Sequence, residues 1–362
     1  MKKLLCATLL SAAAVFSMAA QSNNLQPLAV VKLNGNETVT LKEVKDAVEV
    51  YQAQAGGKKF TVEQRKAILE SVISQKLFVQ AAKKEGLSVT DSQIDQLYIA
   101  NMSQIVGRMV TEKELADIIR QETGKSVDEF LKSQVRMNVA QYKNSLKSNV
   151  LAQQYVMKKK GAEIQAISAD DKEIRDFYEM NKAKLIWADT VRVVFVSALK
   201  GNDAAGAQKK IEGYRKDFIS GKIKVADLIS QGQNPDKTGF MAAETYVAKT
   251  QEYAAAMGMS YENLLNIFKQ KLNTPSEITD SGIATGFYIV LEKIDGKMLG
   301  LSDPYQPGTN VTVYEYIKQF VTAQKQQTGM LKAIEEIRKE LNTPANVDYK
   351  KKGADLDALL NW

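Results

Sequence analysis

Thr190-Val-Arg-Val-Val-Phe-Val-Ser197 and Gly286-Phe-Tyr-Ile-Val-Leu-Glu292 decide the fold. Both are short apolar runs rich in β-branched and aromatic side chains, which suit a pleated, packed strand. They open and close the block 189–293. Between them the spacing predicts a helix over Ala204–Ile219, a short one over Ile223–Ile229, and a loop over Gln231–Gly239. A third helix is expected over Ser260–Leu272, and the later strands are Ser276–Thr279 and Phe287–Leu291. The order β, α, α, loop, α, β, β describes a compact α/β unit. On both sides the chain is almost wholly helical and charged, so the fold class is α+β with the mixed unit inserted in a helical protein.

The N-terminal side announces its helices by their starts. Thr40-Leu-Lys-Glu43, Thr61-Val-Glu-Gln64, Thr90-Asp-Ser-Gln93, Thr111-Glu-Lys-Glu114 and Ser126-Val-Asp-Glu129 all have the form of a capping box. The hydroxyl accepts a backbone N–H and the acid or amide reaches back to the cap. Ile68, Leu69, Val72, Ile73, Leu77 and Phe78 then recur at three- and four-residue steps, one broad apolar face. Phe130, Leu131, Val135, Val139 and Tyr142 mark a later helix, with continuation through Leu146, Val150 and Tyr155 left open. Ser168-Ala-Asp-Asp171 opens another. On the C-terminal side Thr312-Val-Tyr-Glu315 starts a long helix to about Leu341, and the tail after Tyr349 reads as loose. Leu28-Ala-Val-Val-Lys-Leu33 is a strand ending in the Asn34-Gly35 turn. Ala345–Tyr349 is a strand that needs a partner, and Leu28–Leu33 is the obvious one. That pairing makes one domain from both chain ends.

Composition limits the chemistry. The 362 residues hold no histidine, so a Ser-His-Asp triad, an imidazole base and any His-bearing zinc site are excluded. Cys6 is the one cysteine. Residues 1–20 read as a secretory signal peptide, with Lys2 and Lys3 before the apolar run Leu4–Phe16 and small residues ending at Ser17-Met-Ala19 or Ala20. Export, a mature chain without cysteine and the absence of a later spanning stretch fit a bacterial envelope space without stable membrane insertion. The net charge of +7 is interspersed along helices and reads as solvated surface rather than a nucleic-acid footprint. No cofactor motif occurs, no metal set is expected, and no serine–lysine motif stands out. Asp170-Asp171 reads as first-turn acids favoured by the helix dipole. Met102, Met109, Met137, Met157, Met257 and Met259 read as core filling or as adaptable contacts for varied partners.

Several stretches resemble a known family in order. Leu28–Gly35 followed by Thr40-Leu-Lys-Glu-Val44, then Arg65–Leu77 and Ala81–Val89, then Lys172–Tyr178, then Thr190–Leu291 resemble the SurA-like and PrsA-like extracytoplasmic chaperones. The resemblance implies a discontinuous helical chaperone domain, 21–187 with 296–362, around a parvulin-type peptidyl-prolyl isomerase domain, 188–295. The family's two usual histidines align with Phe195 and Tyr288, and its Gly-Gly motif is reduced to Thr238-Gly239-Phe240-Met241. The polar centre is therefore gone while the strand scaffold stays. No catalytic residue is assigned. Phe195 and Tyr288 become core or groove-wall residues, and Phe195, Phe240, Met241, Phe268 and Tyr288 are the candidate apolar peptide groove. The implied function is an ATP-independent periplasmic chaperone for unfolded envelope or outer-membrane proteins, tied to outer-membrane biogenesis. An active isomerase with an altered site and a non-catalytic interaction module are the alternatives, and a homodimer is among the assemblies allowed.

Overall fold

A computed structural model describes residues 24–362, so the signal-peptide reading lies outside the described residues. The chain divides into two compact units. One contains residues 24–167 and 326–362, the other Ser168–Lys325.

The first unit begins with strands β1 (Pro27–Val31) and β2 (Glu37–Thr40). Helices α1 (Leu41–Gln54), α2 (Val62–Lys84), α3 (Asp91–Val106), α4 (Glu112–Thr123), α5 (Val127–Val135) and α6 (Val139–Gln165) follow. Every capping box from Thr40 to Ser126 forms. The single helix expected from Phe130 to Tyr142 is instead two, α5 and α6, and the second runs on through Leu146, Val150 and Tyr155. Arg136 takes a left-handed φ of 59°, and Asn138 then caps α6 with a box of its own through Gln141. An Asn-x-x-Gln box is the signal that marked this break.

The second unit begins with α7 (Asp171–Asn181), β3 (Ile186–Trp187) and β4 (Thr190–Leu199). Next come α8 (Ala204–Ile219), α9 (Val225–Gly232), α10 (Pro235–Thr238) and β5 (Met241–Ala248). It continues with α11 (Gln251–Ala256), α12 (Tyr261–Lys269), β6 (Thr279–Asp280), β7 (Ala284–Ile294) and β8 (Lys297–Met298). Helix α13 (Val313–Leu341) starts here, and its later residues belong to the first unit. Strand β9 (Val347–Tyr349) and helix α14 (Gly353–Leu360) complete the chain.

In the first unit β1 is the central strand of a sheet ordered β2-β1-β9. Ala29 faces Tyr349 and Val31 faces Val347, antiparallel, so the two ends of the chain share one sheet. Leu28, Val31, Val39, Val44, Ile73, Leu77 and Val347 form the core against it. A second core joins α2 to α6 with α13, around Tyr98, Met102, Leu115, Leu131 and Ile337. The tail is ordered, contrary to expectation. Leu360 of α14 is buried in the sheet core. The Arg65 guanidinium donates to its carbonyl at 2.7 Å and lies 4.5 Å from the Trp362 ring. Leu356, Leu359 and Leu360 supplied the apolar signal, on a helix too short to be obvious.

The main sheet of the second unit is antiparallel, ordered β5-β4-β7-β6. The expected loop at 231–239 holds the end of α9 and all of α10. Of the expected strand Ser276–Thr279 only Thr279 lies in a strand, the start of β6. Residues 273–276 bond along the edge of β7, with the Asn273 N–H to the Val290 carbonyl and the Ser276 N–H to the Tyr288 carbonyl, each at 2.8 Å. Residues 168–187 and 296–325 hold a separate core, where Ile174, Leu299, Val313 and Ile317 pack together. Asp170 caps α7 by accepting the Glu173 N–H at 2.8 Å, and Asp171 pairs with Arg175. The adjacent acids thus serve the helix start.

Candidate functional site

Side chains along a strand alternate between sheet faces, so β4 has two distinct sets of neighbours. Val194, Val196 and Ala198 point to one side, where Ala242, Phe287, Ile289, α8 and α9 close over them. Val191, Val193 and Phe195 point to the other, toward Val247, Val290, α11 and α12. The candidate site is the far end of this second face.

Its centre is a row of three cross-strand partners. Phe195 of β4 lies between Ala243 of β5 and Tyr288 of β7. The Phe195 and Tyr288 ring centroids are 6.1 Å apart at 57°, a tilted contact within the favourable range for aromatic pairs. Both are half-buried. The next row is Met241, Ser197 and Gly286. Met241 is 41% exposed. Gly286 has a steric reason to be glycine: a Cβ there would lie 2.4 Å from the Val196 carbonyl oxygen and 3.1 Å from the Ser197 Cβ. The face therefore falls away beside Tyr288, from a half-buried aromatic pair to a glycine and an exposed thioether.

Helices α11 and α12 wall the other side. Ala254 of α11 and Leu264 and Ile267 of α12 are their buried anchors, with Phe268, Met259, Tyr253 and Tyr261 packed around them. Phe268 is held by Lys249, whose ammonium is 5.6 Å from its ring centre, and by Lys293, which donates to its carbonyl at 2.7 Å. Tyr253 donates its hydroxyl to the Tyr246 carbonyl at 2.7 Å. Tyr288 is fixed from behind. The buried Ser276 hydroxyl accepts its N–H at 3.0 Å and donates to the Glu277 carbonyl at 2.8 Å.

Of the five groove residues expected from sequence, four share this face. Phe195, Phe268 and Tyr288 belong to one apolar cluster, and Met241 follows in the next row. Phe240 does not join them. It is 1% exposed and lies in the core of the opposite face, its ring 4.1 Å from Tyr214. Gly239 takes a left-handed φ of 72° just before it, and the turn commits Phe240 to that side. Sequence reasoning missed Ser197, Tyr253, Ser276 and Gly286, while Met259, expected as core filling or an adaptable contact, packs against this cluster. Period-two alternation in Val191–Ser197 was the signal that pointed to Ser197. Tyr253 lies on α11, which no strong pattern announced, and Ser276 and Gly286 take their roles from the pairing along β7.

The two rows contain no carboxylate, amine or imidazole. The ionic contacts of these strands belong to Arg192, which pairs with Glu244 at 3.1 Å and Glu292 at 3.2 Å. Burial pushes the Tyr288 phenol above its ordinary value, so it stays protonated at neutral pH. The face can offer aromatic, thioether and aliphatic surface with two hydroxyls. Among the described residues no His/Cys/Asp/Glu group could hold a metal ion, and no helix is long and apolar enough to cross a membrane.

No family model matches the sequence, and no curated protein matches it. Solved structures do. A structure from a study of two related SurA-like chaperones of Campylobacter jejuni matches 90% of this chain and 99% of its own, at 12% identity and a TM-score of 0.35. The foldase PrsA of Streptococcus pneumoniae matches over 96% and 98%, at 12% identity and a TM-score of 0.28. PrsA of Bacillus subtilis matches over 90% and 95%, at 17% identity and a TM-score of 0.26. The chain is thus similar to SurA-like chaperones and PrsA foldases along nearly its whole length.

Proposed function

We propose that this protein is an ATP-independent chaperone that holds unfolded envelope or outer-membrane polypeptides in the periplasm. In this reading 188–295 is a parvulin-like domain without isomerase activity, carried by a helical chaperone domain built from both ends of the chain. The single observation that carries it is the Phe195–Tyr288 row. Two half-buried aromatics at 6.1 Å stand where the sequence resemblance puts two imidazoles. They give a surface that grips apolar side chains, with hydroxyls but no imidazole or charged group to act on an X–Pro amide. Met241 and Met259 extend that surface with flexible thioethers that adapt to varied shapes. Phe195, Met241, Phe268 and Tyr288 are the proposed contact residues.

Two assays decide it. An unfolded test protein diluted into a near-stoichiometric amount of the chaperone is expected to scatter less light than alone. Unchanged aggregation would remove the holdase reading. A protease-coupled assay on an Ala-Pro peptide is expected to return the slow uncatalysed rate, set by a barrier of ~18–20 kcal/mol. A clear acceleration would establish an isomerase with an altered site instead.

A further inference from the structure

We propose that Asn34-Gly35 is a self-modifying site at which the Asn34 side-chain amide is converted to a carboxylate, and that this conversion loosens the β1–β2 hairpin of the first unit. The chain contains no other Asn-Gly pair. Both residues are exposed in the segment between β1 and β2. The Gly35 N–H takes no acceptor among the described residues, and neither does the Asn34 side chain. Gly35 has no Cβ, and nothing lies within 4 Å of where one would be. Its φ of 115° belongs to a region that side-chain-bearing residues rarely adopt. The nucleophile and the electrophile are thus adjacent, uncommitted and unshielded, the circumstances in which asparagine is a labile residue.

The chemistry needs only water and base. The Gly35 nitrogen loses its proton and attacks the Asn34 side-chain carbonyl carbon, forming a C–N bond. Ammonia leaves, carrying the amide nitrogen, and a five-membered succinimide remains. Water then opens the ring at one of its two carbonyls. Cleavage on the side-chain side gives aspartate. Cleavage on the main-chain side gives isoaspartate, which adds a methylene to the backbone. The net reaction is amide plus water to acid plus ammonia, with no oxidant or reductant.

The position gives the change a structural consequence. The Asn34 N–H donates to Gln80 Oε1 at 2.8 Å, and Gln80 is 1% exposed. The Gln80 amide in turn donates to Glu37 at 3.0 Å. Glu37 lies 3.9 Å from the ammonium of buried Lys76, which also pairs with Glu43 at 2.9 Å. A carboxylate at position 34 adds a negative charge to the segment that Gln80 ties to Glu37. An isoaspartate there displaces an anchored backbone. Two residues upstream the Lys32 N–H donates to the Asn346 carbonyl at 2.8 Å, so the same segment holds the C-terminal strand.

The test uses the full chain, incubated at mildly alkaline pH and mapped by peptide mass spectrometry with isoaspartyl methyltransferase labelling. Asn34 is expected to convert first, ahead of Asn36 and Asn202, and Asn34→Gln is expected to stay intact. Conversion at those asparagines with Asn34 unchanged overturns the proposal. The aged protein and Asn34→Asp are both expected to unfold at lower urea than fresh protein, with the aged form lower because it carries isoaspartate. Identical midpoints in converted and fresh protein would refute the loosening.

Discussion

The two faces of the β5-β4-β7-β6 sheet use the same backbone for different ends. On the closed face Val194, Val196, Phe240, Phe287 and Ile289 are buried beneath α8 and α9. On the open face the covering helices reach Val191, Val193 and Val290 but leave Phe195 and Tyr288 half-buried and Met241 exposed. A strand cannot tune its two faces independently in register, because a shift of one residue exchanges them. The closed face therefore does more than stabilise. It pins the register that keeps Phe195 opposite Tyr288, and in the proposed function it leaves the open face free to carry the residues that meet a client.

The sharpest way to break this comparison is to attack the closed face. Phe240→Ala removes a fully buried ring that also supports Tyr214. It is expected to cost ~3–5 kcal/mol in urea unfolding of the full chain. A loss below 1 kcal/mol would show that the ring is not part of a packed core. Next comes Gly286→Val. It sits on the open face, but its Cβ would meet the Val196 carbonyl oxygen. The neighbouring strand must give way, at about 1–3 kcal/mol. A neutral result would mean that β4 and β7 do not approach so closely. Smaller again is Phe195→Ala, half-exposed, at about 1–2 kcal/mol. Phe195→Ala should raise client aggregation markedly for little loss of fold, while a closed-face variant kept below its unfolding point should hold clients normally. If both variants lose clients in proportion to lost stability, the open face has no special role.

The uneven legibility of the chain has a physical cause. Helix starts were readable because a capping box is local chemistry confined to four residues, and Thr40 to Ser126 all behaved as written. The β1–β9 pairing was readable because two lone apolar strands need partners. Strand β5 was not readable. Met-Ala-Ala-Glu-Thr-Tyr-Val-Ala has weak intrinsic strand preference and forms because β4 offers an edge. Missing β5 hid the face to which Phe240 and Met241 belong. The two are adjacent in sequence and so point to opposite sides of the sheet, and only the register with Ser197 assigns them. The helix α14 escaped because its stability comes from Arg65, Trp362 and the strand core rather than from its own eight residues.

The finest probe of the comparison is a pair of phenols. Burial raises both Tyr214 on the closed face and Tyr288 on the open one above the ordinary tyrosine value. A phenol is neutral when protonated, so burial opposes its ionisation in the folded state. The unfolded chain ionises near pH ~10. Each group's contribution to stability is therefore complete below that pH and is lost as pH rises from there through the folded value. Tyr288→Phe and Tyr214→Phe should each flatten the alkaline fall in stability and leave its neutral plateau unsloped. Tyr98 and Tyr349, pushed up to about 12 in the other unit, mark the upper end of that fall. Bound client separates the two faces. A polypeptide seated over Phe195 and Tyr288 excludes further water from that phenol alone. The phenolate absorbance assigned by difference from Tyr288→Phe should move to higher pH in the complex, while that assigned from Tyr214→Phe stays in place. If neither moves, the client sits elsewhere. If both move, binding tightens the whole domain, and the division of labour between the faces is lost.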